Sequence, residues 1–262
     1  MRKLNLQSVI LFFVSLWLLT SCIDGEEQNR QSGTTVGVVR TDYESGKNLL
    51  DVSAVDAFYS IRFAQDKEGD CFLVTYLIDY DREENSNANL IANGYYTVDI
   101  MLKEDVNKWA VNSMLTDTSK TLLNEVEIQD PIWDGDYMYI KGVFFMYHLI
   151  EIPTDQNMAW NLSYDYDNLS SEEDGQRCYD IYLRATIRRE GDRSKEKITI
   201  ANAFEMKNYM EMVANKEKES GKSEFRLRIH YPYEINEDGQ ITWKSKHSRE
   251  ISVSSIIEVQ KE

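Results

Sequence analysis

The sequence predicts a mainly β protein, a five-stranded barrel followed by a β-sandwich, with one short helix. Three observations carry this expectation. Runs rich in β-branched residues and tyrosine recur along the chain, separated by polar turns at 66–70, 81–89 and 236–239. One run alternates strictly: Phe225, Leu227, Ile229 and Tyr231 share one face while Arg226, Arg228 and His230 share the other, the period of a half-buried strand. Proline contributes only 3 of 262 residues, so little in these runs bars a strand from pairing on both sides. Short strands spaced by turns build barrels and sandwiches.

The chain opens with Arg2 and Lys3, an apolar run from Val9 to Leu19, and then Thr20, Ser21 and Cys22. A charged start, an apolar segment of this length and small residues at its end define a secretory signal peptide over 1–21. The run falls short of the roughly 20 apolar residues that span a bilayer. Leu19, Thr20 and Ser21 before Cys22 resemble the bacterial lipobox, in which a signal peptidase reads the small residues and the cysteine thiol takes a diacylglycerol. Cys22 is thus the expected lipid attachment site; the alternative is an ordinary secreted chain whose cysteine merely follows the cut. With more than one acyl chain, at about 0.8 kcal/mol per buried methylene, anchoring would be stable. Residues 22–34 are polar and contain glycine, and read as a flexible tether. Asp24, Glu26 and Glu27 resemble an export signal to the outer face of the outer membrane, and equally suit a solvated linker.

Over 35–125 the barrel strands are Thr35–Arg40, Phe58–Phe63, Cys71–Asp79 and Tyr95–Met101, with a mixed region at 103–115. A boundary near 123–134 opens the sandwich, 126–262. Its strands are Tyr137–Tyr147, Met158–Tyr164, Tyr179–Arg188, Lys197–Ile200, Glu224–Tyr231, Ile241–Lys244 and Ile251–Val259. The helix is Phe204–Lys216, where Met206, Tyr209, Met210 and Val213 fall at helical spacing. That stripe reads as core rather than as a cofactor site.

Net charge is −16, and losing a leader that carries Arg2 and Lys3 makes the remainder more negative. Such a chain is unsuited to nucleic acid, which demands a basic surface, and to electrostatic adhesion on anionic lipid. Beyond Cys22 only Cys71 and Cys178 remain. Two independent, part-buried thiols are expected, with a disulfide as the alternative. No Cys/His grouping suggests zinc, and no metal or cofactor is expected.

The residues Gly69–Tyr76 followed by Tyr95–Ile100 resemble the strand pattern of NigD-like lipoproteins. So does Asp130–Trp133 leading into Asp136–Ile140, and, more loosely, Asp180–Arg184. The resemblance covers most of the mature chain but is a pattern of strands rather than an invariant motif. It implies an N-terminal OB-like barrel, a C-terminal β-sandwich and an address in the envelope of anaerobic diderm bacteria. The family name carries an association with bacteriocin operons and a role in immunity. Cys71 departs from the pattern, standing where the family often has a basic residue, and the 81–89 loop is unusually acidic.

Catalytic signatures are missing: there is no Gly-x-Ser-x-Gly, His-Glu-x-x-His, P-loop or dinucleotide glycine motif. Ser194 and Lys197 have Ser-x-x-Lys spacing but sit in a charged segment where a lysine stays protonated. His148, His230 and His247 are the three histidines, and none has a sequence-local carboxylate and nucleophile to complete a triad. Asp79, Asp81, Glu83 and Glu84, or Asp165 and Asp167, could hold a hard cation, but neither group matches an EF-hand loop and both read as solvated loops. Trp133, Trp160 and Trp243 are candidate stacking platforms for a sugar, against the plainer expectation of core packing. The sequence therefore points to a non-enzymatic, lipid-anchored envelope protein, expected at the outer membrane, with exposure at the cell surface left open. Its partners would be the membrane, through the anchor, and a protein, peptide or glycan ligand. A surface carbohydrate-binding lipoprotein is the alternative.

Overall fold

The computed structural model describes residues 29–132, 138–173 and 176–257. The leader with Leu19, Thr20, Ser21 and Cys22, and also Trp133, lie outside the described residues. The first strands, β1 (Arg30–Asp42), β2 (Lys47–Asp51), β3 (Ala57–Tyr59), β4 (Cys71–Asp79) and β5 (Tyr96–Asp105), close a barrel in the order β1-β2-β3-β5-β4. All neighbours are antiparallel except β3 and β5. Val39, Leu50, Phe58, Phe72, Val74, Ile78, Val98 and Ile100 fill it. Gly37 is required where β1 passes β2, since a Cβ there would sit 2.7 Å from the Asp51 carbonyl oxygen.

Several expectations are corrected here. The tether was drawn to residue 34, but β1 starts at Arg30, pairing Arg30 with Asp79. The strand expected at Phe58–Phe63 stops at Tyr59, and Ile61–Phe63 forms a 3-10 turn. That turn lets Phe63 drop fully buried into the barrel while Arg62 donates to the Ile100 carbonyl at 2.7 Å. The polar 81–89 loop holds a 3-10 turn at Glu83–Asn85 and the first residues of helix α1 (Asn87–Asn93), which ends on Gly94 in the left-handed region. Asn85 clamps this end of the barrel. Its amide donates to the carbonyls of Asp79 and Thr97, and its oxygen accepts the Thr97 N–H.

The barrel's last strand ends at Asp105, ahead of the expected limit at 125. The next strand, β6 (Lys108–Asn112), belongs to the second half, where it lies parallel to two partners at once. One wing is β13 (Lys195–Glu205), β9 (Val143–Pro153) and β7 (Asp130–Ile132). The other is β10 (Asn157–Ser163), β12 (Gln176–Arg189), β14 (Glu224–Ile235) and β15 (Ile241–His247). Short β8 (Tyr139–Ile140), β11 (Ser170–Glu173) and β16 (Ile251–Ser252) pair β9, β12 and β14. Both wings and helix α2 (Lys207–Glu219) close on one core, with Phe144 and Ile150 from one wing, Leu183 and Leu227 from the other, and Met210 and Val213 from the helix. α2 starts three residues later than the periodicity placed it, because Phe204 remains in β13. The strand expected at Ile251–Val259 is only Ile251–Ser252, followed by helix α3 (Val253–Ile257) that packs on α2; 258 and 259 lie outside the described residues.

Barrel and sheet meet through a shared apolar seam of Val36, Val38, Cys71 and Val106 against Val143, Phe145 and Ala203. Cys71 and Cys178 are buried thiols in separate halves of the fold. Burial pushes the Cys71 thiol up to about 11, Lys108 opposing only part of that shift. No helix among the described residues is long and apolar enough to cross a membrane.

Candidate functional site

The parallel pairing of β12 with β14 sets Asp180 beside Arg228 and Tyr182 beside His230. Alternation turns these four away from the core that Ile181, Leu183, Leu227 and Ile229 fill. Arg228 Nε donates to Asp180 Oδ1 at 2.6 Å, and His230 Nε2 lies 2.7 Å from the same oxygen. Ser171 donates to Asp180 Oδ2 at 2.8 Å and accepts from Arg228. Burial works to raise the Asp180 carboxyl, but the hydrogen bonds from His230, Arg228 and Ser171 outweigh it and hold the group well below the carboxylate range. The His230 ring stacks on Tyr182, centroids 4.5 Å apart, and Tyr182 meets Trp243 edge-on.

Next along β12, Arg184 is 1 % exposed and forms a fork-to-fork pair with Glu125, also 1 % exposed, at 2.6 and 2.5 Å. Its remaining N–H groups donate to the carbonyls of Asp117 and Lys120. Trp243 Nε1 donates to the Thr118 carbonyl. The loop after β6 is thus tied down by an arginine and a tryptophan rooted in the sheet. Across from it runs the loop 165–167, where Asp165 caps its own turn through Asn168 and the Asp167 N–H. Between the loops lies a cleft of about 570 Å3, lined by Met114, Leu115, Asp117, Asp165, Tyr166 and Asp167 among others. Met114 is 82 % and Tyr166 62 % exposed. Hydrogen bonds from Ser119 lower the Asp117 carboxyl, and those from Asn168 and the Asp167 N–H lower that of Asp165, so both stay ionised at neutral pH.

This arrangement can attract a cationic group and offer apolar contact beside it. The Ser171 hydroxyl is committed to Asp180 and Arg228, so Ser171, Asp180 and His230 do not stand in series as nucleophile, base and orienter. Among the described residues no three His, Cys, Asp or Glu side chains converge as a metal site would need. Asp79, one of the candidate cation ligands, is ion-paired with Arg30 at 3.0 Å.

Two of the three tryptophans offered as sugar platforms are corrected, Trp133 lying outside the described residues. Trp160 is 5 % exposed and packs on His148, centroids 4.2 Å apart, because β10 turns Met158, Trp160 and Leu162 into the shared core. Trp243 is half-buried, with its N–H taken by Thr118 and the Arg184 guanidinium over its ring. His148 is a core residue, and burial pushes its imidazole down to about 3. Sequence reasoning missed the Asp180 network. His230 was visible on the polar face of its strand, but its partner is 50 positions away and is fixed only by parallel pairing. Arg184 inside an apolar strand was the signal for a buried ion pair.

A closed five-stranded barrel joined to a larger sheet over one core places the chain in the class of two-part β proteins carrying an OB domain. Residues 27–104 match a family described as "Lipoprotein OB domain", nearly the span of the barrel, and the resemblance drawn from the strand motifs stands at that level. The chain is similar to an uncharacterized protein from Parabacteroides merdae of solved structure, at 24% identity and TM-score 0.72, covering 84% of this chain and 99% of that one. It is also similar to a putative lipoprotein from Bacteroides fragilis, at 11% identity and TM-score 0.56, covering 85% and 98%. A NigD-like immunity protein from Bacteroides caccae aligns more loosely, at 11% identity and TM-score 0.43, covering 82% and 91%. The first two likenesses establish the fold alone. No curated protein matches the chain.

Proposed function

We propose that this is a lipid-anchored protein of the cell envelope, held by Cys22 at the outer membrane, that acts as a non-enzymatic binding or protective module. The cleft between the loops 113–118 and 165–167 is its binding site, and a basic peptide with apolar side chains is its ligand class. The carrying observation is the pairing of Asp117, Asp165 and Asp167 with the exposed Met114 and Tyr166 around one cleft. Ionised carboxylates steer a cationic partner from solution, while thioether and phenol supply adaptable apolar contact. A peptide-neutralising, immunity-like role follows from the NigD-like resemblance and suits this chemistry. Carbohydrate binding is the weaker reading, since it needs open aromatic faces that Trp160 and Trp243 do not offer.

Calorimetric titration of the full chain with a basic amphipathic peptide tests the proposal. Binding should weaken as salt rises and fall together with Asp165→Asn and Asp167→Asn. Affinity indifferent to both substitutions would dispose of the cleft. In cells, unchanged sensitivity to co-encoded peptides after gene deletion would remove the protective role.

A further inference from the structure

The two ends of the barrel are built differently. At the end where β4 begins, Phe63 plugs the interior beside Phe72, and Lys103 lies over both rings. At the other end, where β4 finishes, a pocket of about 220 Å3 remains, walled by Phe58, Tyr76, Tyr80 and Tyr96 with Val52 and Ile78. Asp56 lines the same pocket, and its charge is felt by the Tyr76 and Tyr80 phenols. Between the lining residues Ser53 and Asp56, the β2–β3 loop carries Val55 at 86 % exposure, and α1, which lies in the chain between the lining residues Tyr80 and Tyr96, carries Ile91 at 87 %. The described chain enters the fold here. Arg30 pairs with Asp79, and Gln31, a lining residue, accepts from the Tyr80 hydroxyl at 2.6 Å.

We infer that this end of the barrel rests on the lipid surface and that its tyrosine pocket takes the ammonium headgroup of a zwitterionic phospholipid. The inference rests on the anchoring at Cys22. From Cys22 to Arg30 the chain reaches at most about 28 Å when fully extended, so on that anchoring the start of β1 stays within this distance of the membrane. Two bare aliphatic side chains and a ring of tyrosines are what a protein presents to a headgroup layer. Aromatic faces attract a quaternary or primary ammonium, and Asp56 adds a counter-charge. Arg30, paired with Asp79, and Arg82, forked onto Asp99 with Asp79 at 4.0 Å, are each more than a third exposed on this side of the barrel, where the lipid phosphate would lie. The strongly acidic chain disfavours anionic lipid at this contact.

The test uses the full lipidated protein in phosphatidylcholine vesicles, with spin labels placed through Val55→Cys, Ile91→Cys, Met114→Cys or Leu123→Cys. The labels at 55 and 91 should be shielded several-fold from a water-soluble nickel complex and open to oxygen, while those at 114 and 123 stay fully nickel-accessible. In parallel, phosphocholine should shift the ring resonances of Tyr76, Tyr80 and Tyr96, less so in Asp56→Asn, and inorganic phosphate should not. Equal nickel access at all four labels, rings unmoved by phosphocholine, or rings moved equally by phosphate overturns the inference. The terminal mass of the same preparation separates the two claims. A lipidated Cys22 with equal access at every label ends the inference and leaves anchoring intact, whereas a bare Cys22 ends both.

Discussion

Removing the Glu125 carboxylate should unlatch the loop that forms one wall of the cleft, and the cost can be worked from its contacts. Glu125 accepts two bonds from Arg184 and one from the Leu122 N–H at 2.8 Å. Both partners of the pair are 1 % exposed, so Glu125→Ala leaves a guanidinium in the interior with only the Asp117 and Lys120 carbonyls to answer it. Breaking a buried pair from one side typically costs about 3–5 kcal/mol, and the two lost charge-assisted bonds, at about 1.5–3 kcal/mol each, agree with that range. In urea, with a slope near 3 kcal/mol per M, the midpoint should fall by about 1–1.7 M, read by far-ultraviolet circular dichroism. The double variant Glu125→Leu with Arg184→Met should lose less than either single change, because no lone charge remains buried. A loss below about 1 kcal/mol, the scale of a solvated pair, would rule out a buried ionic latch, as would a double variant worse than both singles.

Four further outcomes follow from the same contacts. Asp180 has a folded-state pKa below its unfolded one, so its contribution is full above the unfolded value of about 4 and fades as pH falls through the folded one. Asp180→Asn should flatten the acid limb of the stability profile, and a limb identical to the parent's would contradict the network. His148 is held neutral down to about 3, so as pH falls below about 6.5 the unfolded chain gains a proton the native one refuses, costing up to about 1.4 kcal/mol per pH unit; its proton resonances should not titrate between pH 5 and 8, and a midpoint in that window would show the ring to be wet. Cys71, with its thiol raised to about 11 by burial, should resist iodoacetamide at pH 8 and react in denaturant; rapid native alkylation would place it at the surface. Trp160→Ala should cost about 3–5 kcal/mol as a core deletion, and a change under about 0.5 kcal/mol, typical of surface sites, would restore it as a candidate platform.

Much of the fold was legible because alternation and length are local signals. Cys71–Asp79 falls at the bounds the sequence set, and the strictly alternating Phe225–Tyr231 buries the face it was expected to bury. What failed depends on distant partners. Lys108–Asn112 has no strong pattern of its own and becomes a strand because β10 and β13 flank it. Ile61–Phe63 reads as strand, yet the barrel needs Phe63 as a plug, and tertiary burial overrides β propensity there. The cleft was only half visible. Asp165 and Asp167 stood out as a loop, whereas Met114 and Asp117 join them through β6 pairing with β10, a contact no spacing rule supplies.

The proposed anchoring requires a fatty thioether at Cys22 that holds these β domains at the envelope. Metabolic labelling of cells with an alkyne fatty acid, followed by capture of this protein and its Cys22→Ala variant, tests it most directly. Label on the parent and none on the variant, with precursor accumulating under globomycin, is the predicted result. An unlabelled parent, or equal label on both chains, would contradict it.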